Sequence, residues 1–232
     1  MCPMERVIVQ YKGIHMVIMS SPVSSAESAS SNSGSTLKPY LRRKKSSLGE
    51  TKIAILGMAG VGKSALCVRF LTKRFIGEYD QANENKYKCV IMLEGESVTF
   101  ELLDTRSNDE DMGAREDVVR WSDGFVLVYS VTSRQTFEVL SEVRRKLEDM
   151  KKVSHVPVIL VGNKADLAHI RQVSQDEGAR LAADLCCSFM EVSASEDVTK
   201  VTDAFHILCR EIIEYKRRSR TFLDRVFGLK KS

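Results

Sequence analysis

Apolar positions after residue 48 fall into short blocks that alternate with longer, periodic ones. The short blocks, which favour buried strands, cover residues 52 to 56, 124 to 131, 158 to 161 and 188 to 192. The longer blocks repeat apolar residues at helical spacing and cover residues 63 to 73, 135 to 150, 175 to 185 and 199 to 217. Two further runs, at 87 to 93 and 98 to 103, flank a turn and predict an antiparallel hairpin.

This alternation predicts one α/β domain. Repeated strand and helix units with right-handed crossovers give a mostly parallel sheet of six strands, with helices on both faces. The hairpin supplies one antiparallel edge strand. Ligands of such folds bind at the carboxyl ends of the strands, so residues that bind a ligand are expected there.

The segments on either side of the domain have a different composition. Residues 21 to 36 are rich in serine and carry too little apolar surface to offset the entropy of ordering them. A basic cluster follows at residues 42 to 45. We therefore expect a disordered extension at residues 1 to 48, a domain at 49 to 215 and a basic amphipathic tail at 216 to 232.

Composition is that of a soluble globular protein. The 232 residues are 43% hydrophobic and 28% charged, which suits one domain with tails. No apolar run approaches the ~18 residues needed to span a bilayer.

The six cysteines have no regular spacing, so we expect reduced thiols in a cytoplasmic protein. For the adjacent Cys186 and Cys187, a redox pair or metal site is the alternative to one buried and one rim thiol.

Residues 57 to 64 fit the pattern G-x-x-x-x-G-K-S between a predicted strand and a predicted helix. Glycines let backbone N–H groups curl around phosphate oxygens, and the following helix adds its positive end. Lys63 would reach the β- and γ-phosphates, and the Ser64 hydroxyl would bind Mg²⁺. The alternative is a glycine-rich turn that only links strand to helix.

A second motif, Asn163, Lys164, Ala165 and Asp166, follows the apolar strand at 158 to 161. The Asp166 carboxylate can accept hydrogen bonds from N1–H and the 2-amino group of guanine, and adenine offers neither donor there. Asn163 would tie this segment to the phosphate loop, and the Lys164 stem would cover the base. A match to four residues alone is more often a solvated turn. The position of this motif at a strand end favours guanine binding.

Two more strand ends carry candidate residues. After the strand at 188 to 192, the Ala194 N–H would face the guanine carbonyl oxygen, and Ser193 would brace Asp166. Asp104 ends the second strand of the hairpin, where an aspartate can hold Mg²⁺ through water. The alternative is that this aspartate forms a turn and binds no metal.

In order and spacing, these motifs resemble the Ras superfamily of small GTPases over about residues 51 to 215. Residues 60 to 80, 121 to 130 and 161 to 167 are similar to the branch that contains the Ras-related oestrogen-regulated growth inhibitor and its Ras-like relatives. The resemblance implies a Ras-like P-loop fold and a monomeric signalling switch that binds GTP or GDP with Mg²⁺. The nucleotide-binding residues that it implies are Ala59, Gly60, Val61, Gly62, Lys63, Ser64, Ala65, Phe75, Asn163, Lys164, Asp166, Ser193 and Ala194, with Ser64 and Asp104 at the metal.

By the same resemblance, Phe75 would pack against the guanine base. Residues 76 to 85 and 104 to 118 would be the two switches, which the γ-phosphate orders and which contact effectors or regulators.

The chain departs from the family pattern on the γ-phosphate side. Ala82 stands where a threonine binds Mg²⁺, and Ser107 stands where a glycine N–H meets the γ-phosphate. Asn108 replaces the glutamine that orients water, and Ala59 adds a methyl group. With Lys63 and Asn108 as catalytic candidates, we expect weak hydrolysis. The alternative is a scaffold that nucleotide stabilises and that does not hydrolyse it.

The tail is basic, with interleaved Phe222, Leu223, Val226, Phe227 and Leu229. It carries no cysteine, so prenylation is not expected. Three interpretations remain open: reversible contact with an anionic membrane, a basic nuclear or nucleic-acid segment, and a solvated tail. Nucleic acid is not expected as a partner, because the net charge of +4 is modest and no nucleic-acid motif is present.

Overall fold

The computed structural model of the chain describes residues 6–11, 14–19, 50–75, 84–93, 95–106, 112–153 and 155–226. Its strands are β1 Arg6–Tyr11, β2 Ile14–Met19, β3 Glu50–Leu56, β4 Asn85–Leu93, β5 Glu96–Asp104, β6 Gly124–Ser130, β7 Val158–Asn163 and β8 Ser188–Glu191. Its helices are α1 Lys63–Thr72, α2 Glu116–Trp121, α3 Arg134–Glu138, α4 Leu140–Lys151, α5 Gln175–Asp184 and α6 Val198–Val226, with a 3₁₀ turn at Ala168–Ile170.

Six strands form the central sheet in the order β4-β5-β3-β6-β7-β8. The β4 and β5 strands pair antiparallel, and every other neighbouring pair is parallel. This confirms the predicted α/β class and its single antiparallel edge strand. The loops that follow β3, β5, β7 and β8 therefore meet at one edge of the sheet.

Both faces of the sheet are covered, as the alternation of side chains along β3 shows. Ile53 and Ile55 pack into a cluster with residues of α1 and α6, where the rings of Phe70 and Phe205 stack with centroids 4.3 Å apart. Ala54 and its neighbours on the other face join residues of α2, α4 and α5. The two clusters fix β3 between layers of helices, and with it the loop that β3 leads into.

Helix boundaries differ from the predicted ones in three places. The helix predicted at 135 to 150 is interrupted at Val139, whose φ of −74° and ψ of −14° remain helical. The six-residue α2 is too short for its periodicity to be recognised. Helix α6 continues to Val226 and so crosses the predicted domain limit at residue 215.

The N-terminal segment also differs from expectation. Within the segment expected to be disordered, β1 and β2 pair antiparallel in a register from Arg6↔Met19 to Tyr11↔Ile14. Their sequences are rich in β-branched residues, which favour extended pairing, and β1 lies beside β4 at the sheet edge. Residues 20 to 49 lie outside the described part of the chain. Among the described helices, none is both long and apolar enough to cross a membrane.

Candidate functional site

The loop at residues 57 to 64 depends on the conformational freedom of glycine. Gly57 has a φ of 147° and Gly62 has a φ of 95°, both in the region that side chains avoid. A Cβ on Gly57 would lie 2.3 Å from the Val128 carbonyl oxygen, and one on Gly62 would lie 2.3 Å from Asn163 Nδ2. The loop therefore passes close to β6 and to the end of β7. Positive φ at Gly60 and Gly62 is typical of loops whose backbone N–H groups bind anions.

Lys63 begins α1 and reaches back across this loop. Its Nζ donates hydrogen bonds to the carbonyl oxygens of Gly57 (2.9 Å) and Met58 (3.0 Å). Burial lowers the pKa of Lys63 to about 8, and the charge of Asp104 opposes the shift. The loop thus holds a buried cation that contacts two of its carbonyl oxygens and interacts with the Asp104 carboxylate.

Asp104 ends β5 beside the start of α1. The side chain is 3% exposed, and its Oδ1 has no hydrogen-bond partner. Burial raises the pKa of the Asp104 carboxyl, whereas a hydrogen bond with Ser64 and the charge of Lys63 oppose the rise. Thr105 fixes the strand end, because its Oγ1 donates to the Ile55 carbonyl oxygen at 2.6 Å.

An orphaned buried carboxylate oxygen beside a serine hydroxyl suits a hard divalent cation, which prefers oxygen ligands. Among the described residues, no group of three or more histidine, cysteine or acidic side chains is arranged to hold a metal. The pair of oxygen donors from Ser64 and Asp104 fits Mg²⁺ better than zinc, because Mg²⁺ usually takes one or two protein ligands together with water and phosphate oxygens. Ser64 and Asp104 therefore remain the candidate ligands.

Asn163 connects three segments through one amide. Its Nδ2 donates to the Val61 carbonyl oxygen at 2.9 Å, and its Oδ1 accepts from the Ala194 N–H at 3.2 Å. The bond to Val61 is the link to the phosphate loop that the sequence predicts. The Ala194 N–H, predicted to face a guanine carbonyl, is directed at Asn163 in this structure.

The predicted base-binding side chains are exposed or half-buried. Phe75 is 46% exposed just after α1, and Lys164 and Asp166 are half-buried in the turn after β7. Lys164 adopts a φ of 66°, and the next residue, Ala165, donates its N–H to the Val192 carbonyl oxygen at 3.1 Å. The turn after β7 is thereby attached to the turn after β8.

Ser193 does not brace Asp166 as predicted. Its Oγ lies 2.8 Å from Ser195 Oγ and accepts the Glu196 N–H at 3.1 Å. The hydroxyl is taken up by its own turn, because serine competes for nearby backbone donors in such turns. In the described structure, Ser193 therefore shapes the turn that carries Ala194.

Sequence reasoning missed one connection of the loop. The Gly57 N–H donates to the Met112 carbonyl oxygen at 3.0 Å, and a Cβ on Gly113 would lie 2.3 Å from Thr105 Oγ1. The predicted second switch is therefore attached to the phosphate loop at Met112. A single Met-Gly pair carries no pattern that predicts such a contact.

Several predicted residues lie outside the described part of the chain. These are the catalytic candidate Asn108, the altered switch positions Ala82 and Ser107, and residues 76 to 83 and 107 to 111 as a whole. Of the loop residues, Ala59 and Gly60 are exposed, whereas Val61 and Ala65 are buried. The described site thus comprises the phosphate loop, the candidate metal ligands and the candidate base-binding residues.

Comparison with known proteins agrees with this geometry. The model of the Ras family matches residues 52–214. The chain is 52% identical over 163 residues to the Ras-related and estrogen-regulated growth inhibitor of Bos taurus, covering 70% of this chain and 81% of the relative. It is 41% identical over 176 residues to Ras-like protein family member 11B of Mus musculus, covering 73% and 71%. The resemblance found in the sequence is confirmed.

Asn163→Ala should destabilise the nucleotide-free protein. The substitution leaves the Val61 carbonyl and the Ala194 N–H without their partner, at a cost of about 1–3 kcal/mol in the free energy of unfolding. Urea unfolding followed by circular dichroism measures this difference. The exposed Gln135, replaced by alanine, is the control and should change stability by less than ~0.5 kcal/mol. Equal effects of the two substitutions would show that the amide bridge contributes nothing.

Proposed function

Since the chain belongs to the Ras family, we propose that it binds GDP or GTP with Mg²⁺ at the edge formed by the loops after β3, β5, β7 and β8. One observation carries the proposal: three buried polar side chains, Lys63, Asp104 and Asn163, converge there from separate strand ends. The Lys63 ammonium suits a phosphate oxygen, and the unpartnered Oδ1 of Asp104 suits a cation. A phosphate chain with Mg²⁺ would offer both.

The phosphate chain would lie against the loop at residues 57 to 64. Backbone N–H groups of Gly60, Val61 and Gly62 and the start of α1 suit an anion. The Lys63 ammonium, now shared between two carbonyl oxygens, would gain phosphate oxygens as stronger, charged acceptors. This gain requires an anionic ligand, because a neutral ligand offers no charged acceptor.

Ser64 and Asp104 would hold the Mg²⁺. Held there, Mg²⁺ would supply positive charge that neutralises the phosphates. Support comes from the unpartnered Oδ1 of Asp104 and from its raised pKa, because a nearby cation would favour the charged carboxylate.

Asp166 would select guanine, with Phe75 and the Lys164 stem against the faces of the base. All three side chains are accessible enough to meet a ligand. A carboxylate that accepts two hydrogen bonds from guanine would be left without donors by adenine, and that penalty provides the selectivity.

Hydrolysis would be in-line attack of water on the γ-phosphate, with Lys63 stabilising the charge that develops on the phosphate oxygens. We propose that it is slow. Asn108 is one methylene shorter than glutamine, and misplacement by ~1 Å can reduce a rate on the order of 100-fold. The residues proposed for binding lie elsewhere, so tight binding and slow turnover are compatible.

The alternative proposal is a nucleotide-stabilised scaffold. Ala82 and Ser107 remove contacts that would distinguish GTP from GDP, and a ligand shifts a conformational equilibrium only through such differential contacts. In either case effectors or regulators would meet residues 76 to 85 and 104 to 118, and we propose that the protein acts as a cytoplasmic monomer.

Asp166→Asn should change base preference from guanine to xanthine. An amide still accepts from N1–H but meets the 2-amino group with its own N–H, whereas the 2-oxo group of xanthine accepts that donor. Because one neutral hydrogen bond replaces two charge-assisted ones, GDP binding should weaken about 1,000-fold, as measured by displacement of a fluorescent nucleotide.

The exposed Asp184, replaced by asparagine, is the matched control for charge and should leave GDP affinity unchanged. If the unmodified protein binds ADP as tightly as GDP, the proposed role of Asp166 is wrong.

GDP affinity should fall as pH rises above about 8. Below the pKa of about 8, Lys63 is charged in the free protein. Phosphate raises the pKa of Lys63 in the complex, so above pH 8 binding requires uptake of a proton, and affinity declines by up to ~10-fold per pH unit. Calorimetry in buffers of different ionisation enthalpy measures that uptake directly.

Lys63→Arg is the control, because guanidinium stays charged across this range. Its affinity for GDP, whatever its absolute value, should not vary with pH through the ionisation of residue 63. The same decline in Lys63→Arg as in the unmodified protein would assign the pH dependence to another group.

Asn108→Gln should accelerate single-turnover GTP hydrolysis, by 10-fold or more, if the short amide limits the reaction. Lys63→Ala at saturating GTP should abolish the turnover. Nucleotide content of the purified protein is measured in parallel. Tightly bound GTP that neither the unmodified protein nor Asn108→Gln hydrolyses would exclude the slow enzyme and support the scaffold.

A further inference from the structure

Arg69 on α1 connects two segments that border the proposed base site. Its Nη1 donates to the Lys73 carbonyl oxygen at 3.4 Å, and its Nη2 donates to the Ser195 carbonyl oxygen at 3.2 Å. Lys73 is the C-cap residue of α1, and Ser195 belongs to the turn after β8. One guanidinium therefore bridges the end of a helix and a turn that are far apart in the sequence.

The Lys73 end of this bridge lies where the chain turns toward Phe75. Lys73 adopts a φ of 61°, and its N–H donates to the Arg69 carbonyl oxygen at 2.9 Å. The Arg74 N–H donates to Thr72 Oγ1 at 3.1 Å. The end of the helix is thus fixed two residues before Phe75, the side chain proposed to cover one face of guanine.

The Ser195 end of the bridge holds the turn that carries Ala194. The Ala194 N–H donates to Asn163 Oδ1 at 3.2 Å. Hydrogen bonds therefore attach this turn to the end of β7 through Asn163 and to α1 through Arg69. The attachment to α1 also reaches the segment that leads to Phe75, so it relates two sides of the proposed base site to each other.

The Arg69 guanidinium loses hydration in this position. The residue is half-buried, and among the described residues its buried Nε has no hydrogen-bond partner. A buried N–H group without a partner is unfavourable, yet both Nη atoms bond carbonyl oxygens. The planar fork of an arginine can serve two acceptors from different segments, whereas a lysine ammonium is a compact point charge.

We propose that Arg69 is a positioning residue for guanine, which sets the distance between Phe75 and the turn after β8. This role rests on the proposed nucleotide site, but the bridge is an interaction within the protein and can be tested without a ligand. Its loss should loosen the base end of the site and leave the phosphate loop intact, because the bonds of Lys63 and Asn163 to that loop do not involve Arg69.

Hydrogen exchange of the nucleotide-free protein tests the bridge alone. Arg69→Met keeps an unbranched side chain and removes both donors. Amide exchange of residues 193 to 197, followed by mass spectrometry, should become at least tenfold faster in this variant, because the turn opens more readily. Exchange in β3 should not change. Equal exchange of the turn in the variant and the unmodified protein would overturn the bridge.

Thr202→Val is the matched control. Lys73 Nζ donates to Thr202 Oγ1 at 3.1 Å, so this substitution also removes a hydrogen bond between α1 and the part of the chain that follows β8, but it leaves the turn untouched. Release of fluorescent GDP, chased with excess GDP and Mg²⁺, should be at least tenfold faster for Arg69→Met and less than threefold faster for Thr202→Val. Equal acceleration would assign the effect to the contact between α1 and α6 and overturn the role of Arg69.

Pyrophosphate separates the base end of the site from the phosphate end, because it carries the phosphate chain of GDP without guanosine. In competition with fluorescent GDP, Arg69→Met and the unmodified protein should bind magnesium pyrophosphate with affinities within twofold of each other, although GDP affinity falls about tenfold. Equal losses for the two ligands would show general destabilisation and contradict a role at the base.

Arg69→Lys distinguishes the bridge from simple capping of α1. Lysine keeps a cation near the last carbonyl oxygens of the helix, where it interacts favourably with the helix dipole, but its single ammonium does not replace the fork. Both GDP release and exchange of the turn should stay at least threefold faster than in the unmodified protein. Values equal to those of the unmodified protein would show that charge at the helix end suffices, and would overturn the bridge.

The two proposals fail in different ways. An unmodified protein that binds neither GDP nor pyrophosphate would contradict the proposed function, and with it any role of Arg69 at a base. GDP binding that Arg69→Met and Arg69→Lys both leave unchanged would contradict the role of Arg69 alone. Circular dichroism of every variant checks that it is folded.

Discussion

The amide of Asn163 is the interaction on which the rest of the site depends. It accepts from the turn after β8 and donates to the loop after β3, so three strand ends share one side chain. Parallel strands bring those ends to the same edge of the sheet, but they do not by themselves fix loops of different length relative to one another. The amide sets that relation before any ligand is present.

Around that fixed point, two buried groups of opposite charge lie close together. Lys63 donates to carbonyl oxygens of the phosphate loop and interacts with the Asp104 carboxylate, whose Oδ1 has no hydrogen-bond partner. Sites that bind charged ligands commonly retain such groups, because folding stability is exchanged for binding free energy. The residues that would act on the γ-phosphate form a chemically separate group in the sequence, and the changes at Ala82, Ser107 and Asn108 are confined to it.

Sequence was sufficient for the elements whose physics is local and repetitive. Apolar runs predicted the strands of the central sheet, and the glycine spacing predicted the loop, because only glycine tolerates the φ of Gly57 and Gly62. It failed where a few residues decide the outcome. The helix is interrupted at Val139, but the dihedral angles of this residue stay helical and no sequence pattern marks the interruption. Ser193 forms hydrogen bonds within its own turn, which the spacing of residues in the sequence does not predict. The contact of Gly57 with Met112 depends on tertiary structure alone.

Lys216 attaches α6 to Glu50, the first residue of β3, and β3 runs seven residues to the phosphate loop, a distance of about 23 Å. The carboxyl-terminal helix and the phosphate loop are therefore attached to opposite ends of one strand, which is buried between two layers of helices.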